Sequence, residues 1–231
     1  MTKAADKNTE GRASEGEEIG QLVEIESFIP PYLRRFVSPY YGDYCYTRCF
    51  HFMLVAQVMS EGFLPIATKG AMLPKLHEHR CVISLPENLH VSRSVRKKSK
   101  RFKITVNQAF GQVIEGCKEQ HGRRCWLYPP LVEAFQAIFD AKGVSVGIFE
   151  DGTKLSGRKC PVRLYSVEVW NESSGVLVGG ELGYTVGSVY TSLTGFSKED
   201  SAGSVQLAAL GRLLCSLGFT LWDLGMEMDY K

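Results

Sequence analysis

The sequence predicts an α+β protein, with a mainly antiparallel sheet flanked by helices and a small N-terminal subdomain ahead of it. Three observations carry this. Two stretches with helical apolar spacing, 108–120 and 129–142, come before the strand-like segments rather than between them. The segments 164–170, 176–184 and 186–191 then alternate apolar and polar residues and read as a meander, with 171–175 as a turn. A last helical stretch, 202–217, ends at Gly218 and leads into the short apolar run 219–223, as a crossover helix leads into a final strand. The 231 residues are 44% apolar and 23% charged, so the chain can bury a sizeable core.

The elements follow in order. Residues 1–19 are polar and predict a disordered tail. Residues 28–46, rich in Pro, Tyr and Arg, predict a segment wrapped over a surface. A helix is expected over 50–59, with Gly62 as its stop, and a strand over 81–85, broken by Pro86. Residues 20–88 then make the small subdomain, and 89–231 the main domain. Residues 101–106 read as a strand, after which Asn107 is a good N-cap for a helix whose apolar face is Ala109, Phe110, Val113, Ile114 and Cys117. The next helix starts at Pro129 or Pro130 and stops at Gly143.

Composition excludes several classes. No secretory signal is visible, and the most apolar run, near 49–59, is too short to span a bilayer. The seven cysteines are scattered and mostly embedded in apolar runs, so they read as reduced core thiols of an intracellular, cytoplasmic protein. His77, His79 and Cys81 share a strand face but lack a fourth ligand, and no metal site is expected. Glu168 alternates with Val167 and Val169, which makes it a sheet-surface charge or a functional carboxylate.

Charge is the first functional signal. The net charge is only +2, yet Arg93, Arg96, Lys97, Lys98, Lys100, Arg101 and Lys103 fall within eleven residues without an acid. Such a cluster suits a nucleic-acid backbone, where each neutralised phosphate releases counterions. A solvated loop between helices is the plainer reading.

Specific motifs flank that run. LHVSRS at 89–94, NQAFGQVIEGC at 107–117, Trp126, VEAF at 132–135, SVEVW at 166–170 and LVGG at 177–180 occur in that order, with EGFLP at 61–65 as a weaker match. Together they resemble the leucyl/phenylalanyl-tRNA–protein transferase family. The resemblance implies an acetyltransferase-like core and a reaction in which an aminoacyl group moves from its tRNA to a protein's N-terminal amine, marking that protein for degradation. An aminoacyl ester is already activated, so no cofactor is implied. Orientation, amine deprotonation and oxyanion stabilisation can supply the catalysis. The implied partners are the acceptor end of aminoacyl-tRNA, bound by the 93–101 cations, and acceptor proteins with an exposed N-terminal residue. A monomer without a membrane partner is expected.

The resemblance also places site residues. Asp223 stands where the family has the Asp of a D-x-Q motif and is the candidate catalytic carboxylate. Trp126, Glu181, Tyr190, Phe196 and Leu214 are the candidate walls of an aminoacyl pocket, with core packing as the alternative for the aromatic residues. Several positions depart from the family. Its G-E-S-M-F-S is here SLTGFS at 192–197, which puts Leu193 for the Glu and Gly195 for the Met. Gly225 replaces the Gln, Glu181 an apolar residue, and Ile66 the Trp of Pro-Trp. The chain also stops soon after Asp223 where family members continue, as a shortened form or one lacking a C-terminal segment would. Two other classes stay open: a catalytically degenerate relative that binds tRNA or degrons, and an acyl-CoA N-acetyltransferase. The second lacks the expected Gly-containing pyrophosphate loop after Tyr190.

Overall fold

Helix α1 (Phe52–Ser60) begins where the His51 ring accepts the Met53 amide, and it buries Leu54, Val55, Val58 and Met59. It ends ahead of Gly62, whose φ of 88° suits glycine. The computed structural model describes residues 46–77, 79–150 and 154–226. The expected tail, almost all of the 28–46 segment and Cys45 lie outside these residues. After α1, β1 (Leu64–Ala67) and β2 (Met72–Lys75) form an antiparallel pair.

The main sheet has seven strands in the order β3-β9-β8-β7-β6-β4, with β5 beside β6. Strand β3 (Arg80–Ser84) pairs antiparallel with β9 (Leu221–Met226), so the strand expected to close the small subdomain is an edge of the large sheet. Strand β6 (Lys154–Asn171) is 18 residues long. Its first half pairs with β5 (Val144–Glu150), its second half with β4 (Phe102–Val106), and its other edge with β7 (Leu177–Val186). Strand β8 (Val189–Ser197) returns antiparallel to β7. Among the described strands only the β8–β9 pairing is parallel, because helix α5 (Ala202–Ser216) carries the chain back between them.

Helices cover both faces. On one face, α1, α3 (Phe110–His121) and α4 (Pro129–Asp140) pack on Leu164, Leu182, Tyr184 and Phe196. On the other, α5 buries Leu210 and Leu214 against Val167, Tyr190 and Trp222, and Ala202 and Val205 against Val169 and Val178. Alternation along β6 divides its residues accordingly, with Leu164 on the α3 side and Val167 and Val169 on the α5 side.

Several expectations need correction. Asn107 does not cap α3. It adopts φ 60°, its side-chain oxygen accepts the Ser166 amide, and the helix starts later, at Phe110. No side chain caps α3 among the described residues; Glu168 Oε1, from β6, instead accepts the Gln108 and Ala109 amides in the turn just before it. Glu168 is therefore buried rather than a surface charge. The expected strand at 186–191 straddles a hairpin whose turn is Gly187–Ser188, with Gly187 at φ 58°. Strand β5 was not expected. The 93–103 run is not a loop: Arg93–Lys98 is a short helix, α2, capped by Ser92, and Ser99–Arg101 a 3-10 turn that leads into β4. Among the described cysteines only Cys117 is fully buried, and Cys49 is exposed.

Candidate active site

Strand β9 positions Asp223 on the sheet face opposite α5. Its neighbour Trp222 points the other way, into the α5 cluster. Arg80 of β3 grips the carboxylate with both ends of its guanidinium. Nε donates to Oδ1 at 3.1 Å and Nη2 to Oδ2 at 2.5 Å. The Thr191 hydroxyl adds a bond to Oδ2, and the Gly225 amide one to Oδ1 at 2.8 Å. Gly225 reaches back because its φ is 77°, a conformation that the family's Gln would adopt only with strain. Arg80 also donates to the Gly62 carbonyl, which ties the end of α1 to this pair. Tyr184 lies alongside. Burial pushes its hydroxyl up to about 12, with Arg80 opposing and Asp223 reinforcing the shift.

Glu181 lies across the sheet from Asp223. It is buried on the α5 face and held by neutral donors. Tyr190 and Ser192 donate to Oε1 at 2.9 and 3.0 Å, and Gln206 of α5 donates to Oε2 at 2.5 Å. Trp222 in turn donates to the Ser192 hydroxyl. Burial raises the Tyr190 hydroxyl well above its ordinary range, and the Glu181 anion adds to the shift. Tyr190 and Leu214 belong to the same apolar cluster. Three of the five expected wall residues thus come together, but behind the sheet as seen from Asp223.

Trp126 and Phe196 lie on the Asp223 side. Trp126 is half-buried and packs edge-on to Phe135, with centroids 6.4 Å apart. Phe196 is buried beneath α3, where only a glycine fits: a Cβ at Gly116 would come within 2.5 Å of the ring. A surface groove of about 400 Å³ opens there between α3 and Leu177, Phe196 and Lys198. Leu193 occupies a bulge of β8, since Leu182 pairs with Thr194 and Gly183 with Ser192, and its side chain packs onto the core. Gly195 lies opposite Glu181, and a Cβ there would meet the Gly180 carbonyl at 2.9 Å, so the family's Met does not fit without a strand shift.

The third buried carboxylate has a structural role. Glu168 accepts from Thr105, Ser166 and the Gln108 and Ala109 amides, and it fixes the turn that leads into α3. All seven cations of 93–103 are exposed. Arg101 pairs with Glu199, and Lys98 donates to Ser201 with Asp200 close by. Arg93, Arg96, Lys97, Lys100 and Lys103 have no ion-pair partner among the described residues. No group of three or more His, Cys, Asp or Glu is arranged to hold a metal among the described residues, and no helix there is long and apolar enough to cross a membrane.

Sequence reasoning missed Arg80, Ser192 and Gln206. Arg80 is 143 positions from Asp223 and carries no local signal. Gln206 did carry one, as a polar residue on the buried stripe of α5 beside Val205 and Leu210.

The fold and these contacts define an α+β protein whose sheet buries three hydrogen-bonded carboxylates and carries an exposed cationic helix beside one edge. The family model for leucyl/phenylalanyl-tRNA protein transferase matches residues 82–231, and the chain belongs to that family. It is 28% identical over 172 residues to a leucyl/phenylalanyl-tRNA–protein transferase of Shigella sonnei (strain Ss046), covering 74% of this chain and 64% of the relative. It is 32% identical over 154 residues to one of Desulforapulum autotrophicum, covering 64% and 58%. The chain thus spans less than two thirds of the length of these relatives. The structure of L-PGS from Bacillus licheniformis is similar at 16% identity and a TM-score of 0.38, covering 64% of this chain and 44% of that one. A likeness at that level supports no functional argument.

Proposed function

We propose that this protein transfers an amino acid from aminoacyl-tRNA to the N-terminal amine of an acceptor protein, within an N-degron degradation pathway in the cytoplasm. The observation that carries this reading is the family match over 82–231, which spans the exposed cationic helix and all but the first two residues of the large sheet. We read residues 89–231 as an acetyltransferase-like core working as a monomer, with 20–88 as a subdomain joined to it through β3.

In this reading Arg93, Arg96, Lys97 and Lys100 hold the tRNA backbone, with Lys98 and Arg101 tied to the 199–201 loop beside them. Trp126 and Phe196 wall the aminoacyl group on the Asp223 side. Glu181, Tyr190 and Leu214 shape that region from behind the sheet. The incoming amine must lose a proton to attack the ester carbonyl, since an ordinary N-terminal amine is substantially protonated at neutral pH. Asp223 is the acceptor at the strand end, and Arg80 fixes which of its lone pairs remain available.

A second reading, tRNA or degron binding without transfer, is favoured by one observation. Both Asp223 oxygens are already engaged by Arg80, Thr191 and Gly225, and Leu193 and Gly225 supply no replacement for the family's Glu and Gln. Radiolabelled aminoacyl-tRNAs of every type, incubated with peptides beginning in Arg, Lys or other residues, decide between them. Label on a peptide amine supports transfer. Binding of tRNA with no labelled peptide supports the binder.

A further inference from the structure

A second cationic feature lies apart from the 93–103 run. The 3-10 turn Gly122–Arg124 follows α3 directly, and Arg123 and Arg124 are both exposed. Neither has an ion-pair partner among the described residues, whereas neighbouring cations do: Lys118 pairs with Glu115, Lys198 with Glu119 and Arg101 with Glu199. The turn is also anchored. His121 Nε2 lies 3.1 Å from both the Gly195 carbonyl and the Thr194 hydroxyl of β8. Trp126 follows Arg124 by two residues and packs on the core beside Phe135. The two guanidinium groups therefore emerge between an anchor on β8 and a proposed pocket wall.

The two cationic features are linked by the end of one strand. His121 holds β8 at Gly195, and Arg101 meets the same chain at Glu199. Glu199 lies two residues past the end of β8, so Gly195 and Glu199 are at most roughly 13 Å apart along the chain. The helix Arg93–Lys98 packs through Val95 on the α5 face and the Gly122–Arg124 turn follows α3 on the other, so a polyanion that reaches both cation groups, the second beside the proposed pocket, passes round this end of the sheet. We propose that Arg123 and Arg124 bind the phosphates of the single-stranded 3′ end of the aminoacyl-tRNA, while the 93–103 cations bind its duplex stem. The inference rests on the proposed tRNA-dependent reaction and names where the reactive end of that substrate is held. Arginine suits the role, because its planar fork meets phosphate oxygens in pairs and keeps its charge at any working pH.

The test uses the full chain and fluorescence anisotropy at several salt concentrations, with an intact tRNA and the same tRNA trimmed of its last four nucleotides. With intact tRNA, Arg123→Gln/Arg124→Gln is expected to lower the slope of log K against log salt by about 1.4, or about 0.7 for each single-strand phosphate no longer neutralised. With trimmed tRNA, variant and wild type are expected to bind alike. Arg123→Lys/Arg124→Lys should restore most of the slope, because counterion release follows charge. An unchanged slope with intact tRNA overturns the inference and leaves the proposed function standing. So does an equal drop with trimmed tRNA, which would move the binding site to the stem. If the pair only stabilises the C-terminal end of α3, the Gln variant loses thermal stability at unchanged affinity, and the inference falls again. A wild-type protein that binds neither RNA overturns the inference and the proposed function together.

Discussion

Two carboxylates sit back to back on one sheet and are stabilised in different ways. Asp223 faces the α1 side and is gripped by a guanidinium. Glu181 faces α5 and is held by two hydroxyls and an amide. A carboxylate paired with a cation is expensive to strip of its partner. One held by neutral donors spreads its stabilisation over several weaker bonds, and each can be removed separately. Burial raises the two nearby tyrosines, and their surroundings then differ: the Thr191 hydroxyl and Arg80 restrain Tyr184, whereas Glu181 pushes Tyr190 further in the direction that burial takes it. An acid missing from one position of a family pattern and one gained at another are therefore not substitutes, because the sheet separates them.

The sharpest way to break this contrast is Asp223→Asn. If Asp223 takes the amine's proton, transfer should fall about 10²–10⁴-fold with tRNA affinity unchanged. Transfer at the wild-type rate would leave the aspartate as the anchor of β3 alone. Arg80→Met comes next. It strands a largely buried anion and should cost about 3–5 kcal/mol in urea unfolding, with much of the loss recovered in Arg80→Met/Asp223→Leu. A cost below about 1 kcal/mol would show that the pair is not holding the edge strand.

On the other face, Glu181→Met leaves the Tyr190 hydroxyl and the Gln206 amide without their acceptor, and should cost about 2–4 kcal/mol. Adding Gln206→Leu should recover part of it. No recovery would mean that the two groups are not coupled. The last effect is in pH, and it lies outside the neutral range. Tyr184 and Cys117 are held up to about 12 by burial, from ordinary values of 10.0 and 9.0. The folded state keeps these protons when the unfolded chain has released them, so their contribution is complete below pH 9 and disappears as pH rises to about 12. Unfolding stability should fall by about 1.4 kcal/mol per pH unit for each group in its window. Tyr184→Phe should flatten the part above pH 10.

Much of the helical architecture was legible. Helices α4 and α5 follow their apolar spacing, and Gly143 and Gly218, at φ 108° and 78°, stop them as glycine does. Strands were harder where burial is two-sided. Strand β7 is buried along nearly its whole length, so alternation could not locate its end, and the turn at Gly187 was absorbed into a strand. Strand β5 was missed because only its pairing with the first half of β6 makes it a strand. Asn107 looked like a helix cap because residue type reports what a side chain can do, whereas the turn before α3 is held by Glu168, which arrives from a strand some sixty residues on. The candidate site was legible only as separate positions. Which of them share a face depended on the β8 bulge at Leu193 and on the α5 crossover, and neither has a local signal.

The pairing of β3 with β9 has a consequence for the order of events during synthesis. Arg80 and Asp223 are 143 residues apart, so β3 leaves the ribosome long before β9, its partner in the large sheet, exists. At about 5–20 residues per second, that interval is roughly 7–30 s. During it, β3 lacks β9 beside it, and the growing sheet lacks one border, the kind of exposed edge that recruits other chains. Strand β9, the last of the described strands in chain order, is therefore the one that covers β3, and Arg80 waits for Asp223 throughout.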